Sequence, residues 1–508
     1  MKVIKFLMHR AALTTLLVFV QIAAIILSVI YISEYFWYLY FVLQIISILV
    51  VLRVVNNDQD PTTKLPWLAI VLLVPPFGTL IYLLFHNNKP RKKQLKLISR
   101  INNQLKTELK TKEAVLKDLK AQDSRIFGQM SYLIKQSGSP VYQNTEVAYF
   151  DSGEAYFENL VTQLKQAKKY IFMEYFIFER GKMWNEIYTI LQQKASENVE
   201  IIIMYDDIGS IYKLPYNFNK KISGDNITVV KFNKYKPIIS AVHNNRDHRK
   251  ITIIDGQVAF TGGINIADEY INQKKRFGHW KDSGVMLKGQ AVESLTLSFL
   301  KQYFIQIGKT FHVGKYLPVR QNIKSQGFVQ PFFDGPYPLY KDRVGENAYL
   351  NMINQAQKYI YITTPYLIID FNFMSALKLA AKRGVEVVII TPHIPDKKII
   401  FLQTQASYRQ LLNEGVKIYE YLPGFMHSKN ILCDDKFAIV GTFNIDYRSF
   451  VHHYENGILL YDVPCLKDIK KDIQNTISQS KEIKHGNYKF GFFKKMFSDL
   501  ISIFSALM

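Results

Sequence analysis

Two stretches of this chain superpose without a gap, HRKITIIDGQVAFTGGINI at residues 248–266 and HSKNILCDDKFAIVGTFNI at residues 427–445. Seven positions coincide: His248/His427, Lys250/Lys429, Asp255/Asp434, Ala259/Ala438, Gly262/Gly441, Asn265/Asn444 and Ile266/Ile445. A single His-x-Lys carries almost no information, whereas identities at fixed offsets in two places point to a duplicated half-site. That duplication constrains the fold. Each copy needs a lobe to carry it, and the lobes must pack about a pseudo-twofold axis if the copies are to share one site.

The surrounding sequence repeats a plan as well. Residues 170–178 (YIFMEYFIF) read as a buried strand, 184–195 as a helix and 199–206 (VEIIIMYD) as a second strand; 359–368 (YIYITTPYLI), a helix through Ala380 and 385–392 (VEVVIITP) repeat the series. In both halves the His motif comes after this unit. Such alternation predicts an α/β protein, with mixed β-sheets flanked by helices in two lobes over 138–318 and 319–485.

Three apolar stretches come first, at residues 11–32, 36–55 and 65–85. Each is near the ~20 residues a helix needs to cross the hydrocarbon core, which predicts an N-terminal transmembrane helical region over 1–88. Ser33, Glu34 and Tyr35 separate the first two stretches, predicting a tight hairpin, and Pro75, Pro76 and Gly78 predict a kinked or re-entrant third. Lys2, Lys5 and Arg10 at one end and Lys89, Arg91, Lys92, Lys93, Lys96 and Arg100 at the other favour two spans plus a re-entrant segment, a multi-pass protein of the cell membrane with its lobes on the cytoplasmic side. Residues 89–137 carry Ile98, Ile101, Leu105 and Leu109 at helical spacing and read as a charged, partly exposed connector. Residues 486–508 read as an amphipathic helix with the stripe Phe493, Met496, Phe497, Leu500, Phe504 and Leu507, placed in the membrane interface or against the second lobe.

The formal charge of +22 on 508 residues calls for an anionic partner, nucleic acid or anionic lipid. The apolar N-terminus selects lipid. The two cysteines, Cys433 and Cys465, make neither a disulfide framework nor a Cys-based zinc site.

Residues two apart on a strand share a face, so His and Lys of each motif point the same way and Asp255 and Asp434, at odd offsets, do not. Two His, two Lys and two Asn meeting in one cavity suit a phosphodiester. Lys250 and Lys429 neutralise the phosphoryl oxygens, Asn265 and Asn444 donate hydrogen bonds to them, one imidazole attacks phosphorus and the other protonates the departing alkoxide. The imidazoles then need different protonation states, which a carboxylate can arrange by favouring imidazolium on one of them; Glu269, Asp282 and Glu455 are the candidates. A metal is disfavoured, because two Lys in the pocket repel a cation. His452 and His453, adjacent on a strand, face opposite ways and should not share one.

HxKxxxxD twice, each followed by a Gly and an Asn, resembles the phospholipase D superfamily. Within it, NNRDHRKITIIDGQVAFTGGINIADEY, FGHWKDSG, PGFMHSKNILCDD and GTFNIDYRSF followed by Glu455 resemble the bacterial cardiolipin synthases. The resemblance implies two duplicated phospholipase D-like lobes and the transfer of a phosphatidyl group between two phosphatidylglycerol molecules, giving cardiolipin and glycerol through a phosphatidyl-histidine. It implies no cofactor, no metal and no nucleic acid. It places the nucleophile on His248 and the general acid/base on His427, and carries Lys250, Asp255, Asn265, Lys429, Asp434 and Asn444 over as site residues. The sequence departs from the family at Ser428, at Gly284 after Asp282, and at His452-His453 before Tyr454-Glu455. A membrane-bound hydrolase of the same superfamily would share these residues and differ in using water as acceptor.

Overall fold

The computed structural model describes residues 19, 23, 26, 36–57, 61–86, 92–235, 244–309, 313–316, 323–337, 339–340, 342–484 and 491–503. The chain divides into two compact units: Met1–Pro90 with Lys234–Asn245 and Leu500–Met508, and Arg91–Asn233 with Arg246–Asp499.

The first unit holds α1 (Phe36–Val55), α2 (Pro61–Leu73) and α3 (Pro75–Phe85). Apart from residues 19, 23 and 26, which are helical and exposed, the first apolar stretch lies outside the described residues, as do the basic residues Lys2, Lys5, Arg10, Lys89 and Arg91. The third stretch is broken at Val74, where Pro75 opens a new helix, so it folds into a hairpin. Gly78 permits the close approach, since a Cβ there would stand 2.2 Å from the Ile70 carbonyl oxygen. Thr79 Oγ1 donates to Ser47 Oγ at 2.6 Å and ties α3 to α1. Tyr38, Phe41, Val42, Ile45, Ile48, Leu49 and Leu52 of α1 are nonetheless exposed. Among the described residues no helix is long and apolar enough to cross a membrane.

The second unit begins with α4 (Lys92–Glu108), α5 (Glu113–Gln122) and α6 (Ser124–Ser137). The connector is helical and partly exposed, with apolar side chains buried. Ile98, Ile101 and Leu105 enter one buried core, and Val115, Leu119, Ile126, Met130 and Leu133 another.

Each lobe is a sheet with the same strand order. Lobe 1 runs β1 (Thr145–Phe150), β9 (Gly284–Gly289), β7 (Val258–Gly262), β6 (Lys250–Ile254), β2 (Tyr170–Tyr175), β3 (Glu200–Asp206), β4 (Ile227–Phe232). Lobe 2 runs β10 (Phe328–Asp334), β17 (His453–Tyr461), β16 (Phe437–Gly441), β15 (Asn430–Cys433), β11 (Tyr359–Thr363), β12 (Glu386–Pro392), β13 (Lys417–Tyr421), and closes with β18 (Ser480–Ile483). The sheets are mixed, with β2, β3 and β4 mutually parallel and β6 antiparallel to β2. Helices α7 (Gly153–Lys165) and α8 (Lys182–Ser196) cover the outer face of lobe 1, and α10 (Val344–Gln355) and α11 (Phe371–Lys382) that of lobe 2; α9 (Val292–Ile307) comes between the lobes in sequence. The strand period sorts the side chains. Ile251 and Ile253 enter a core shared with Leu432 and Ala438 of lobe 2, whereas Ile254 and Ile431 enter the outer core of their own lobes.

The C-terminal helix, Phe492–Ile503, is present, with Met496 and Phe497 exposed and Ser498 buried. Phe504 and Leu507 of the expected stripe lie outside the described residues.

Beneath the site, paired glycines let neighbouring strands touch: Gly262 faces Gly284 and Gly441 faces Gly457. Gly262 sits at φ 154°, and a Cβ there would lie 2.5 Å from Gly284 Cα. Gly262→Ala is therefore expected to destabilise the fold by about 2 kcal/mol or more, through backbone strain and overpacking, read as a lower denaturant midpoint with an unchanged slope.

Candidate active site

The two His motifs do not begin inside their central strands. His248 and His427 lie just before β6 and β15, each preceded by a short segment that pairs with the other lobe. β5 (Arg246–Asp247) pairs in parallel with β17 of lobe 2. β14 (Gly424–Met426) pairs in parallel with β8 (His279–Lys281) of lobe 1. The exchange continues into the histidines, because His248 N–H donates to the Tyr454 carbonyl at 3.0 Å and His427 N–H to the Lys281 carbonyl at 2.7 Å. The acceptors are the residues just before Glu455 and Asp282. Each lobe thus delivers its carboxylate to the other lobe's imidazole.

The side chains complete the cross. His248 Nδ1 lies 2.9 and 3.0 Å from the two oxygens of Glu455, and His427 Nδ1 lies 2.6 Å from Asp282 Oδ2. With Nδ1–H donated to a carboxylate, Nε2 keeps its lone pair. Glu455 also accepts from Thr442 Oγ1 at 2.5 Å. Thr442 and Gly263 are equivalent positions of the two motifs, and Gly263 leaves room for the other carboxylate: a Cβ there would stand 2.0 Å from Asp282 Oδ1.

Lys250 and Lys429 each donate from Nζ to the carbonyl of the His two residues earlier, and Lys429 Nζ also stands 2.9 Å from His427 Nδ1. The half-sites act on each other electrostatically. Lys250 feels Lys429 and Asp282, and Lys429 feels Glu455. Burial dominates all four groups. It lowers His248 to about 3, against the opposing pull of Glu455, and His427 to about 4, with Lys429 acting in the same direction. It lowers Lys250 to about 7 and Lys429 to about 8. Although burial raises Glu455, the His248 ring beside it holds it below the usual carboxylate range. Burial thus favours the neutral form of both imidazoles over the expected carboxylate-stabilised imidazolium.

The remaining expected site residues separate. Asp255 and Asp434 are remote from the histidines and hold backbone. At φ 54° and 51° they open the turns after β6 and β15. Asp255 accepts from the N–H groups of Lys168, Lys169 and Tyr170 at 2.7–2.9 Å, and Asp434 from those of Gln357, Lys358 and Tyr359 at 2.8–2.9 Å. Their place among catalytic residues is corrected to a supporting one. Asn265 is also committed, accepting from Ile177 N–H at 3.0 Å and donating to Tyr270 OH at 2.7 Å. Asn444 differs, because among the described residues its buried Oδ1 has no hydrogen-bond partner. Of the three carboxylate candidates, Asp282 and Glu455 reach the histidines. Glu269 instead pairs with Arg276 at 3.2 Å and Lys213 at 3.7 Å.

Several site neighbours went unnoticed in the sequence. Tyr270, Trp280 and Phe425 place their rings 5.4, 5.2 and 5.6 Å from His427, and Phe176 lies 5.2 Å from His248. Tyr270 and Trp280 stand one residue after Glu269 and two before Asp282, so adjacency to those acids was the available signal.

Comparison with known proteins agrees with this architecture. The family model "Cardiolipin synthase, PLD-like domain" matches residues 160–283 and 349–477, one segment per lobe, and "Phospholipase_D-nuclease N-terminal" matches 42–85. The chain is thus a phospholipase D-like protein of the two-lobed kind. It is 34% identical over 440 residues to cardiolipin synthase 2 of Bacillus cereus, covering 85% of this chain and 84% of that one. It is 43% identical over 435 residues to an uncharacterized protein of Streptococcus mutans, covering 85% and 94%. A phosphatidylserine synthase structure from Haemophilus influenzae shares the fold at TM-score 0.56 and 14% identity, covering 76% of this chain and 98% of that one. The chain belongs to the cardiolipin synthase family of phospholipase D-like proteins.

The crossed pairs predict that Asp282→Asn and Glu455→Gln each lower kcat by about 10²-fold or more, since each deprives the opposite lobe's imidazole of its partner. Asp255→Ala is expected to act mainly on stability, leaving three N–H groups without their acceptor. Comparing turnover per folded molecule with the denaturant midpoint separates the two classes. A pH dependence of stability follows as well. The histidines titrate near 6.5 in the unfolded chain and at about 3 and 4 in the fold, so the unfolded chain binds more protons in that window and acid favours unfolding. The melting temperature should fall as pH drops from about 6.5 towards 4, less steeply in His248→Asn/His427→Asn.

Proposed function

We propose that this chain is a cardiolipin synthase that joins two phosphatidylglycerol molecules through a phosphatidyl group carried on His248. The crossed imidazole–carboxylate pairs, with a lysine beside each, carry this reading. They supply two nitrogens able to handle one phosphorus from two sides, and positive charge for its oxygens.

In the first step Nε2 of His248 attacks phosphorus, a P–N bond forms, and the P–O bond to the leaving glycerol breaks. His427 gives that oxygen its proton. Burial favours neutral His427; a phosphodiester anion between Lys250 and Lys429 favours proton uptake, and Asp282 on Nδ1 stabilises the resulting imidazolium. In the second step His427 takes the proton from a hydroxyl of the second phosphatidylglycerol. That oxygen then attacks phosphorus, and the P–N bond breaks. Lys250 and Lys429 neutralise the charge that builds on the phosphoryl oxygens. The aromatic wall of Tyr270, Trp280 and Phe425 around His427, and the burial of both imidazoles, favour a lipid alcohol over bulk water as acceptor.

The reading places the first unit in the cell membrane as a multi-pass region. The exposed apolar side chains of α1 support it, since exposed apolar surface of that extent marks a lipid or protein contact. The basic residues Lys92, Lys93, Lys96 and Arg100 that follow favour the cytoplasmic side for the catalytic unit.

Purified protein in phosphatidylglycerol vesicles, without nucleotide or divalent metal, is expected to release glycerol and cardiolipin together. Phosphatidic acid alone would identify a hydrolase instead. His248→Ala and His427→Ala should each abolish turnover. Labelled phosphatidyl trapped on the His427→Ala protein supports the nucleophile assignment, and label on the His248→Ala protein reverses it.

A further inference from the structure

His453 is absorbed by no step of this mechanism, although it stands in the site. It is 7% exposed, and among the described residues neither ring nitrogen has a partner within hydrogen-bonding distance. A buried polar group left in that state is costly and calls for a ligand. Its ring centroid is 5.4 Å from that of His248, and its Nδ1 is 3.7 Å from Glu455 Oε1, beyond hydrogen-bonding distance. One ligand atom from each of His248, His453 and Glu455 lies within 4.8 Å of the others. His452 ends the helical turn Arg448–His452 and His453 opens β17, so the two are not neighbours on a strand as the sequence suggested. The partner His453 finds is the histidine of the other lobe.

From these contacts we propose that His248, His453 and Glu455 form a binding site for a borderline divalent transition ion of the zinc type, and that its occupation switches the enzyme off reversibly. Two imidazoles and one carboxylate are a donor set that zinc accepts with an open position. Mg²⁺ and Ca²⁺ prefer sites built from oxygen alone and do not suit this one. The ion is an inhibitor because one of its ligands is the nucleophile: coordination takes the His248 imidazole and its carboxylate out of the reaction. Lys250 and Lys429 set their positive charge against any cation here, Zn²⁺ included, so the selection for a zinc-type ion rests on the imidazole nitrogens, whose affinity must outweigh that repulsion. The inhibitory consequence rests on the catalytic reading of His248, whereas the binding site does not.

Full-length protein stripped with a chelator and placed in phosphatidylglycerol vesicles is titrated with Zn²⁺ while cardiolipin is measured. The same protein in detergent is titrated with Co²⁺ while visible absorption is recorded. Micromolar Zn²⁺ is expected to suppress cardiolipin formation reversibly, and Co²⁺ to give the intense absorption of a low-coordinate site. His453→Asn should raise the half-inhibiting Zn²⁺ concentration, taken against its own metal-free rate, by about tenfold or more, and abolish the cobalt signal. His452→Asn should leave both responses in place. Equal inhibition of wild type and His453→Asn, or a wild type that gives no cobalt signal, overturns the proposal. A protein that makes no cardiolipin even without metal overturns the synthase reading instead, and the cobalt titration then still decides the site.

Discussion

The catalytic architecture depends on an exchange of backbone hydrogen bonds between the lobes. His248 N–H is bonded to Tyr454 and His427 N–H to Lys281. Each bond fixes the register of a short parallel pairing, so that the next residue along, Glu455 or Asp282, projects its carboxylate at the imidazole. A one-residue slip would turn both carboxylates to the opposite face. Neither lobe holds a complete imidazole–carboxylate pair by itself. Separated lobes would each keep a His and a Lys and lose the group that sets the tautomer. The duplication thus records more than a repeated motif: it records two half-sites that function only when crossed.

Burial sets the chemistry of those half-sites. His248, Lys250, His427 and Lys429 are all inside the protein, where the charged form is penalised, and the neighbouring carboxylates recover only part of that penalty. The same environment holds an unusual charge density on the approach to His248. Arg249 donates to Glu174 at 2.5 Å, to Asp247 at 2.9 and 3.0 Å and to Ser298 at 2.9 Å, and Asp247 N–H donates to Asp206 at 3.0 Å. Removing one member would leave a buried charge without its partner, which is why such networks, once assembled, hold geometry tightly.

Much of this was legible in the sequence. The odd offset set the Asp of each motif apart from its His and Lys, although His248, His427 and Lys429 lie before their strands rather than in them, and Asp255 and Asp434 accept from backbone N–H groups. The repeated strand–helix–strand plan foretold two sheets of the same strand order. What sequence could not supply was the crossing. Periodicity describes one strand at a time, while the partners of His248 and His427 lie 207 and 145 residues away, so Glu269 looked as good as Asp282 or Glu455. The packing of the connector was hidden for a related reason. Its apolar residues are spaced for a helix, but nothing local says that Ile98 and Leu119 enter the cores of the lobes. The protonation states misled because a neighbouring carboxylate can be guessed from sequence and the depth of burial cannot.

The symmetry is broken where the reaction needs it to be. The approach to His248 is Arg246-Asp247, anchored by ion pairs; the approach to His427 is Phe425-Met426, packed among Trp280 and Phe277. Glu455 shares both its oxygens with His248 and takes a further hydrogen bond from Thr442, which spreads its charge. Asp282 gives Oδ2 to His427 at the shorter distance of 2.6 Å and accepts the Ser283 N–H on Oδ1 at 2.9 Å. A shorter charge-assisted bond favours the imidazolium more. The proposed mechanism draws on that asymmetry when it puts the proton on His427 and the lone pair on His248.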